Sequence, residues 1–318
     1  MNGAWDVWSA CTPACATHAV RRAPTTVTAR RCAAFAHAVR RALTDGERMA
    51  DPVRLRTHAR ALLAALGISL EGPAVGALRA AADARTRGTW LGTGPAAVTP
   101  LPGGPGTLIV VNHISWLDIP ALLAVEPVTL LAKREVGGWP VVGGLARRAG
   151  THFIDRGNPR ELPRTIGELS ELLASGRSVA VFPQATTWCT GEGGAFRRAT
   201  FQAAIDAGAP VRPVTLTYAQ HGLPSTVAAF CGEDTFASSL RRVLTARGLT
   251  IGVTAHPPLS APESGHDRRT LAALAGAAVM GGPPRSPRQA PERAPAQRGH
   301  LCGTAPHLRP TAQAPHHV

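Results

Sequence analysis

The sequence predicts an α/β fold with a mostly parallel central sheet flanked by helices. Two observations support this prediction. Short runs rich in Val, Leu, Ile and Thr alternate with helical patterns from about residue 107 onward, which is typical of a parallel sheet. The helical patterns end at glycines, where helices commonly terminate. We predict strands at 107–111, 128–131, 151–154, 178–182, 211–217 and 249–254.

Helices are predicted between several of these strands, because apolar residues recur there three or four positions apart. Their apolar positions and closing glycines are Leu162, Ile166, Leu169 and Leu173 before Gly176; Phe201, Ala204 and Ile205 before Gly208; and Leu240, Val243 and Leu244 before Gly248. Together these strands and helices predict a catalytic or binding domain over residues 107–280.

The remaining segments have weaker patterns. Residues 1–50 are rich in Ala, Arg and Thr, and we expect a poorly ordered or loosely helical leader. Residues 51–71 predict an amphipathic basic helix, which either packs on the main domain or lies in a membrane interface. Residues 72–106 are rich in Gly, Ala, Pro and Thr and predict a linker or inserted loop. Residues 281–318 carry few large apolar side chains, which predicts a disordered tail.

The charge balance favours an anionic partner. The chain has 34 basic and 20 acidic residues, a net charge of +14. Such a protein is drawn to phospholipid headgroups, acidic carrier proteins or nucleic acid. Nucleic-acid binding would rest on charge alone, because no aromatic-rich RNA motif, zinc-finger spacing or clear recognition helix accompanies it. We therefore expect an anionic membrane surface as a partner, and no nucleic acid.

Cysteine spacing and hydropathy bear on compartment. The six cysteines are scattered without a CxxC pair. Cys11 and Cys15 could suit a metal, but no matching second pair follows, so we expect reduced thiols and no metal site. No secretory signal is visible, and no segment reaches the ~18 apolar residues that a transmembrane helix needs. The expected location is peripheral, at the cytoplasmic face of the membrane.

The strongest chemical signal lies where the first strand of the domain ends. The strand runs directly into Asn112 and His113, and Asp118 follows five residues after the histidine. Ligands bind at the carboxyl ends of strands in open α/β sheets. A histidine there can act as a general base, and a carboxylate can fix its tautomer. Spacing alone also fits a structural histidine.

Further polar clusters follow other strands. Lys133 lies after the second strand, and Arg156 ends the segment Phe153-Ile154-Asp155-Arg156 after the third. Either cation could bind phosphate or could be an ordinary solvated charge. Thr186 and Thr187, after the strand that ends in Phe182-Pro183-Gln184, could donate hydrogen bonds to a ligand or cap a turn.

In this order, the clusters resemble the motifs of the glycerolipid acyltransferase family, which includes lysophosphatidic acid acyltransferases. His113 and Asp118 match its H-x4-D motif, with Asn112 also as expected. Phe153 to Arg156 match its second block, Phe182 to Thr186 correspond to its F-P-E-G-T block, and Pro213 matches the proline of its fourth block. The likeness covers residues 107–220, and its style continues to about residue 256.

The resemblance implies an acyltransferase. His113, oriented by Asp118, would activate the hydroxyl of a lysophospholipid such as 1-acylglycerol-3-phosphate. That hydroxyl would attack the thioester of acyl-CoA or acyl carrier protein, the co-substrate, and no metal or other cofactor is implied. The substrate-binding residues implied are Asn112, Lys133, Arg156, Gln184, Thr186 and Thr187.

The third block departs from the family pattern. Gln184 and Ala185 stand where the family usually has Glu and Gly. Gln keeps the size of Glu, loses the charge and gains a donor. Ala in place of Gly is costly if φ is positive there. Two hypotheses remain: an enzyme whose third block tolerates the change, or a catalytically weakened protein that kept the fold and binds lipid.

Overall fold

The computed structural model describes residues 7–72, 104–139, 142–155, 158–191, 193–260 and 265–281. Its centre is a mixed sheet whose strands run in the order β1-β8-β6-β2-β5-β3-β4, with the short β7 paired to β6. The strands are β1 (Ser69–Glu71), β2 (Leu108–Val111), β3 (Thr129–Lys133), β4 (His152–Ile154), β5 (Val179–Val181), β6 (Val211–Gln220), β7 (Leu223–Pro224) and β8 (Leu249–Ala255).

Most neighbouring strands are parallel. β2 pairs with β5 on one side and β6 on the other, both parallel, and β3 is parallel to β4 and β5. β8 is antiparallel to β6 and parallel to β1. β2 is thus an inner strand, and its carboxyl end is flanked by the ends of β5 and the middle of β6. The predicted α/β class with a mostly parallel sheet is confirmed.

Helices cover both faces of the sheet. They are α1 (Thr25–Thr44), α2 (Pro52–Ala65), α3 (Asp118–Val125), α4 (Arg134–Gly137), α5 (Val142–Arg148), α6 (Leu162–Ala174), α7 (Ala199–Asp206), α8 (Phe236–Thr245) and α9 (Arg268–Met280). Short 3₁₀ turns lie at Pro13–Cys15, Gly46–Ala50 and Pro159–Glu161.

Alternation along β2 divides the core in two. Ile109 and Val111 belong to a cluster with buried residues of α2, α3 and α8. Leu108 and Val110 belong to a second cluster with α6, α7 and α9. Because successive strand residues face opposite sides, each face of the sheet buries its own apolar layer. The site loop that follows β2 therefore starts from a strand that is fixed on both faces.

The predicted strands and helices of the 107–280 segment are present, while the amino-terminal segment differs from expectation. Residues 25–44, expected as a poorly ordered or loosely helical leader, form the continuous helix α1. Ala38 and Ala42 are buried there, and Phe35 packs partly buried against the same core. The inner face of this helix is therefore made mostly of small residues, which give only a weak apolar pattern in the sequence.

The predicted helix 51–71 is shorter than expected. α2 ends at Ala65, Gly67 adopts φ +70°, and Ser69–Glu71 form strand β1, which pairs with β8. Gly67 allows this left-handed turn because it carries no Cβ. The amino-terminal segment therefore contributes a strand to the sheet of the main domain.

The structure favours one of the two interpretations of α2. Its apolar residues Leu55, Ala59 and Leu63 are buried in the core shared with α3. Arg60 donates through Nε to the carbonyl of Ala124 at 3.0 Å. Because its apolar face is already covered, α2 packs on the domain and does not offer that face to a membrane.

Some expectations fall outside the described residues. The predicted linker at 72–106 is described only at residue 72 and residues 104–106, and the predicted tail at 281–318 only at Gly281, which closes α9 with φ +67°. Within the described part of the chain, none of the helices combines the length and the apolar character needed to cross a bilayer.

Candidate active site

The loop that we call the catalytic loop, after the prediction made for His113 and Asp118, starts at the carboxyl end of β2. It runs from Asn112 to Leu117, before α3 begins at Asp118. Asn112 anchors its start. The side chain of Asn112 is buried, donates through Nδ2 to the carbonyl of Leu216 at 2.9 Å and accepts from the Leu216 N–H at 2.7 Å. The amide thus imitates a backbone pair with β6. Asn112 is a predicted substrate-binding residue, and both polar atoms of its side chain bond to the backbone of β6, where they hold the loop in place.

His113 and Asp118 meet as the H-x4-D spacing predicted. His113 Nδ1 lies 2.7 Å from Asp118 Oδ2, with 22% of the histidine side chain exposed and none of the aspartate side chain. The turn that brings them together is closed by the same carboxylate, because Oδ2 also accepts the backbone N–H groups of Ile114 at 2.7 Å and Ser115 at 2.9 Å. The backbone of the loop therefore wraps around the Asp118 carboxylate and holds it beside His113.

Tyr218 completes the surroundings of Asp118. Its hydroxyl donates to Asp118 Oδ1 at 2.5 Å from the far part of β6. Burial and the neighbouring Asp118 charge raise the pKa of Tyr218 well above its usual value, so the phenol keeps its proton and acts as a donor. Sequence reasoning missed Tyr218. The available signal was that it is the sole tyrosine of the chain and lies in the strand that carries Pro213.

The third block supports His113 from another side. The Phe182 ring stacks on the imidazole, with centroids 4.1 Å apart and planes 22° apart. Gln184 is 1% exposed, accepts the His113 backbone N–H at 2.8 Å and donates through Nε2 to the Gly193 carbonyl at 2.5 Å. Gln184 was predicted to bind substrate. Its contacts instead join the catalytic loop to the loop around Gly193.

Ala185 has φ +62°, a conformation that ordinarily favours glycine. Because φ is positive, alanine at this position carries the conformational cost that a glycine would avoid. Ala185 N–H bonds to the carbonyl of Phe182 at 3.0 Å, which closes the turn after β5.

Two further loops brace the catalytic loop through backbone bonds. Trp188 N–H donates to the His113 carbonyl, and Phe230 N–H donates to the Ile114 carbonyl, both at 2.9 Å. Thr187 links these two loops, because its hydroxyl donates to the carbonyl of Phe230. Thr186 lies half-buried in the same turn. The Thr187 hydroxyl therefore bonds to the protein backbone. Among the described residues, no hydrogen-bond partner is assigned to the Thr186 hydroxyl.

Of the two predicted cations, Lys133 lies toward the outer edge of the sheet. Lys133 is exposed at the end of β3. Its neighbour Arg134 pairs with Asp155 at 3.0 Å and with Glu161 at 3.3 Å. Arg156 lies outside the described residues, directly after Asp155. The described part of the second block, Phe153 to Asp155, is therefore placed beside the Lys133 segment, three strands away from β2.

The contacts define what His113 can do. A carboxylate only accepts hydrogen bonds, so Nδ1 must carry the hydrogen that faces Asp118. In a neutral imidazole this leaves Nε2 with the lone pair, and Nε2 bonds to none of the described residues. His113 is thus arranged as a base whose tautomer and ring plane are fixed by Asp118 and Phe182.

Comparison with known proteins decides the family. The family model described as Acyltransferase matches residues 97–217, which include the catalytic loop, the third block and Pro213. A lyso-ornithine lipid O-acyltransferase of Pseudomonas aeruginosa is 39% identical over 173 residues, 54% of this chain and 66% of that protein. The matched segment of the chain, residues 97–217, belongs to the acyltransferase family.

Other similar proteins are named for a different acceptor substrate. A 1-acyl-sn-glycerol-3-phosphate acyltransferase of Neisseria gonorrhoeae is 39% identical over 156 residues, 48% of this chain and 61% of that protein. The chain therefore spans slightly less than two thirds of the length of these relatives.

The fold of this chain also matches a solved structure. The 1-acyl-sn-glycerophosphate acyltransferase of Thermotoga maritima aligns with a TM-score of 0.54 at 18% identity, covering 80% of this chain and 92% of that one. At that identity the match supports the fold alone.

Proposed function

We propose that this protein is an O-acyltransferase that moves a fatty acyl group from a thioester donor to the hydroxyl of a lysophospholipid. The observation that carries the proposal is the assembled pair of His113 and Asp118, 2.7 Å apart at the carboxyl end of an inner parallel strand. Relatives at 39% identity are named for acylation of lyso-ornithine lipid and of 1-acyl-sn-glycerol-3-phosphate.

In the proposed mechanism, Nε2 of His113 removes the proton of the acceptor hydroxyl as its oxygen attacks the thioester carbonyl carbon. The C–S bond then breaks, and the departing thiolate takes the proton back from the imidazolium. Asp118 stabilises the imidazolium formed between these steps. Acid–base help of this kind is worth about 10²–10⁴ in rate, and correct positioning of the two substrates supplies much of the rest.

The polar groups predicted to bind substrate divide into two sets in this proposal. Asn112, Gln184 and Thr187 hold backbone groups, so we assign them to positioning of the catalytic loop. Lys133 and Arg156 are the cations proposed for the acceptor headgroup, since both follow strands at the same edge of the sheet as the catalytic loop. Thr186 is proposed as a hydroxyl partner for the acceptor.

The donor and location are proposed on charge. Acyl-CoA and acyl carrier protein are both anionic, as is a bacterial-type phospholipid surface, and the chain carries a net charge of +14. Arg30, Arg40 and Arg41 are exposed on α1 and could face such a surface. We propose peripheral association with the cytoplasmic membrane face.

The alternative is a catalytically weakened member of the same fold that only binds lipid. It was motivated by Gln184 and Ala185. The contacts of Gln184 argue against it, because both polar atoms of the side chain are satisfied and one of them supports the His113 backbone. The substitution therefore leaves the site assembled, which supports the active enzyme.

The test is an acyl-transfer assay with product identification. Purified protein would receive acyl-CoA or acyl carrier protein with either lysophosphatidic acid or lyso-ornithine lipid, and the products would be identified by mass spectrometry. We expect a diacylated product from at least one combination, and none above background with the His113→Ala protein. Absence of transfer to every lysolipid, with the protein shown to be folded, would overturn the proposal.

A further inference from the structure

Four cysteines from three distant segments converge on one side of the catalytic loop. The Sγ atoms of Cys11, Cys15 and Cys189 all lie within 4.8 Å of one another. Cys11 Sγ is 3.1 Å from Cys189 Sγ and also accepts the Cys189 backbone N–H at 3.3 Å. Cys231 is buried beside this group, since burial and the neighbouring Cys11 and Cys15 thiols raise its pKa to about 12.

The convergence is built by the fold. Cys11 and Cys15 flank the turn that contains the 3₁₀ helix Pro13–Cys15. Cys189 lies in the loop after β5, and Cys231 lies in the loop after β7. Gly232 approaches the amino-terminal segment so closely that an added Cβ would lie 3.1 Å from the Cys11 carbonyl oxygen. No second closely spaced cysteine pair is visible in the sequence, because Cys189 and Cys231 come from separate loops.

We propose that Cys11, Cys15, Cys189 and Cys231 bind one structural Zn²⁺ ion as a four-thiolate site. Thiolates are soft ligands that favour zinc, and a closed set of four cysteines is a common structural zinc site. With Zn–S bonds of ~2.3 Å, tetrahedral geometry places the sulfurs roughly 3.8 Å apart. Among Cys11, Cys15 and Cys189, the 3.1 Å separation and the 4.8 Å limit bracket that value. A movement of the Cys231 side chain toward these three sulfurs completes the site.

Burial supports a structural rather than a catalytic ion. Cys189 is 5% exposed and Cys231 is 2% exposed, and with four protein thiolates no position is left for water or substrate. The thiol protons released on binding pass to solvent, and no redox step is involved.

The position of the site gives the ion a role. Cys189 follows Trp188, whose N–H holds the His113 carbonyl, and Cys231 follows Phe230, whose N–H holds the Ile114 carbonyl. An ion that ties Cys189 and Cys231 to the amino-terminal turn would fix both braces of the catalytic loop. The zinc would touch no reacting atom and would act through the positions of these two loops.

The experiment measures metal content and does not depend on catalysis. The full chain, expressed with zinc and purified without chelator or added reductant, would be analysed by plasma mass spectrometry. We expect about one zinc per chain, as for other four-cysteine structural sites. Replacement by Co²⁺ should give the intense d–d bands of tetrahedral cobalt and sulfur-to-cobalt charge-transfer absorption.

Matched variants locate the ion. Cys11→Ser and Cys189→Ser should lose zinc, whereas Cys32→Ser, at an exposed position on α1 outside the cluster, should keep it. A chelator should lower the melting temperature of the wild type and of Cys32→Ser to the same extent.

Several results would overturn the proposal without bearing on the acyl-transfer reaction. The first is wild-type protein that contains no bound metal after expression with zinc. The second is bound iron in place of zinc. The third is a disulfide between any two of the four cysteines, detected by peptide mapping. The wild-type metal content decides the question even if a serine variant does not fold.

Discussion

The inner and outer parts of the strand-end edge are built differently. At the end of β2, Asp118 is fully buried and accepts hydrogen bonds from the ring of His113, two backbone N–H groups and Tyr218. Three strands away, Asp155 is 31% exposed and pairs with Arg134, which is itself 62% exposed. At the end of β2, the Asp118 charge is surrounded by buried hydrogen-bond donors. At the outer edge, the charges of Asp155 and Arg134 are partly exposed to solvent.

The difference shows where precision is needed. A base must hold its ring in one orientation, and buried donors that cannot reorient achieve this. The headgroup site that we propose at the outer edge needs only to attract an ion and release a product, for which exposed cations are sufficient. Exposed ion pairs contribute only about 0.2–1 kcal/mol, so loss of one should hardly affect the fold.

Asp118→Asn should have the largest effect among the changes that test this contrast. The Asn oxygen can still accept the hydrogens of His113, Ile114 and Ser115, but the amide carries no negative charge to stabilise the imidazolium. Its NH2 group would face the Tyr218 hydroxyl, which now donates to a carboxylate oxygen. We expect kcat to fall by about 10²–10⁴ and the free energy of unfolding to fall by roughly 1–3 kcal/mol. Steady-state kinetics and urea unfolding measure the two quantities.

Asp155→Asn is the comparison for the outer edge. Its free energy of unfolding should stay within about 1 kcal/mol of the wild type because the pair with Arg134 is exposed. Equal destabilisation by the two substitutions would contradict the contrast between the regions.

Gln184→Glu tests whether the third block is adapted or degenerate. A carboxylate cannot donate to the Gly193 carbonyl, and it would be placed in a position that is 1% exposed. We expect a loss of about 1–3 kcal/mol in the free energy of unfolding, together with lower activity. Gln202→Glu, at a half-exposed site on α7, should cost no more than about 0.5 kcal/mol.

The opposite result would support the weakened-protein hypothesis. If the wild type is inactive and Gln184→Glu, alone or with Ala185→Gly, restores transfer, then Gln184 is a lesion and not an adapted support.

Tyr218 gives a pH-dependent test. Its pKa in the folded protein is well above that of an unfolded tyrosine, so its contribution to stability is present below pH ~10 and lost as pH rises beyond it. Because the chain has one tyrosine, tyrosinate absorbance reports this group alone. We expect the folded protein to titrate well above the urea-unfolded protein.

Tyr218→Phe should remove the alkaline loss of stability that belongs to this phenol. It should also cost roughly 1–3 kcal/mol at neutral pH, because Asp118 Oδ1 loses a donor. A normal tyrosine titration in the folded wild type would be inconsistent with the hydrogen bond to Asp118.

Ala185→Gly should have the smallest effect, and it should be stabilising. Relief of the left-handed conformation is worth about 1–2 kcal/mol, whereas the added flexibility of the unfolded chain costs about 0.4–1 kcal/mol. We expect a net gain of about 0.5–1 kcal/mol in thermal or urea unfolding. Ala33→Gly, at an exposed position in the middle of α1, should lose about 0.5–1 kcal/mol. A loss at both positions would contradict the strained turn.

Local patterns predicted much of the domain. Alternating apolar runs located the strands from β2 to β6 and β8, and the spacing of His113 and Asp118 predicted their contact. Both are short-range features, since a run of residues carries its own periodicity and a turn joins residues five apart. The family resemblance supplied the order of the blocks, and the sheet places the first, third and fourth side by side.

Long-range contacts were not readable in the same way. Residues 69–71 have no sequence pattern that predicts a strand. They form β1 because they pair with β8, which lies about 180 residues later in the chain. Tyr218, Gly193 and the cysteine cluster likewise acquire their partners only when distant loops meet. For the same reason, Asn112 and Gln184 were assigned to substrate, whereas their amides bond to backbone groups of β6 and of the Gly193 loop.

The central claim is that His113 is the base of an acyl transfer, and one rate comparison tests it most directly. The kcat/KM of His113→Ala would be measured against the wild type and His152→Ala, a histidine on β4 that pairs with Glu168 at the far edge of the sheet. We predict a fall of about 10²–10⁴ for His113→Ala and a wild-type rate for His152→Ala. A folded His113→Ala protein that turns over at the wild-type rate would contradict the claim.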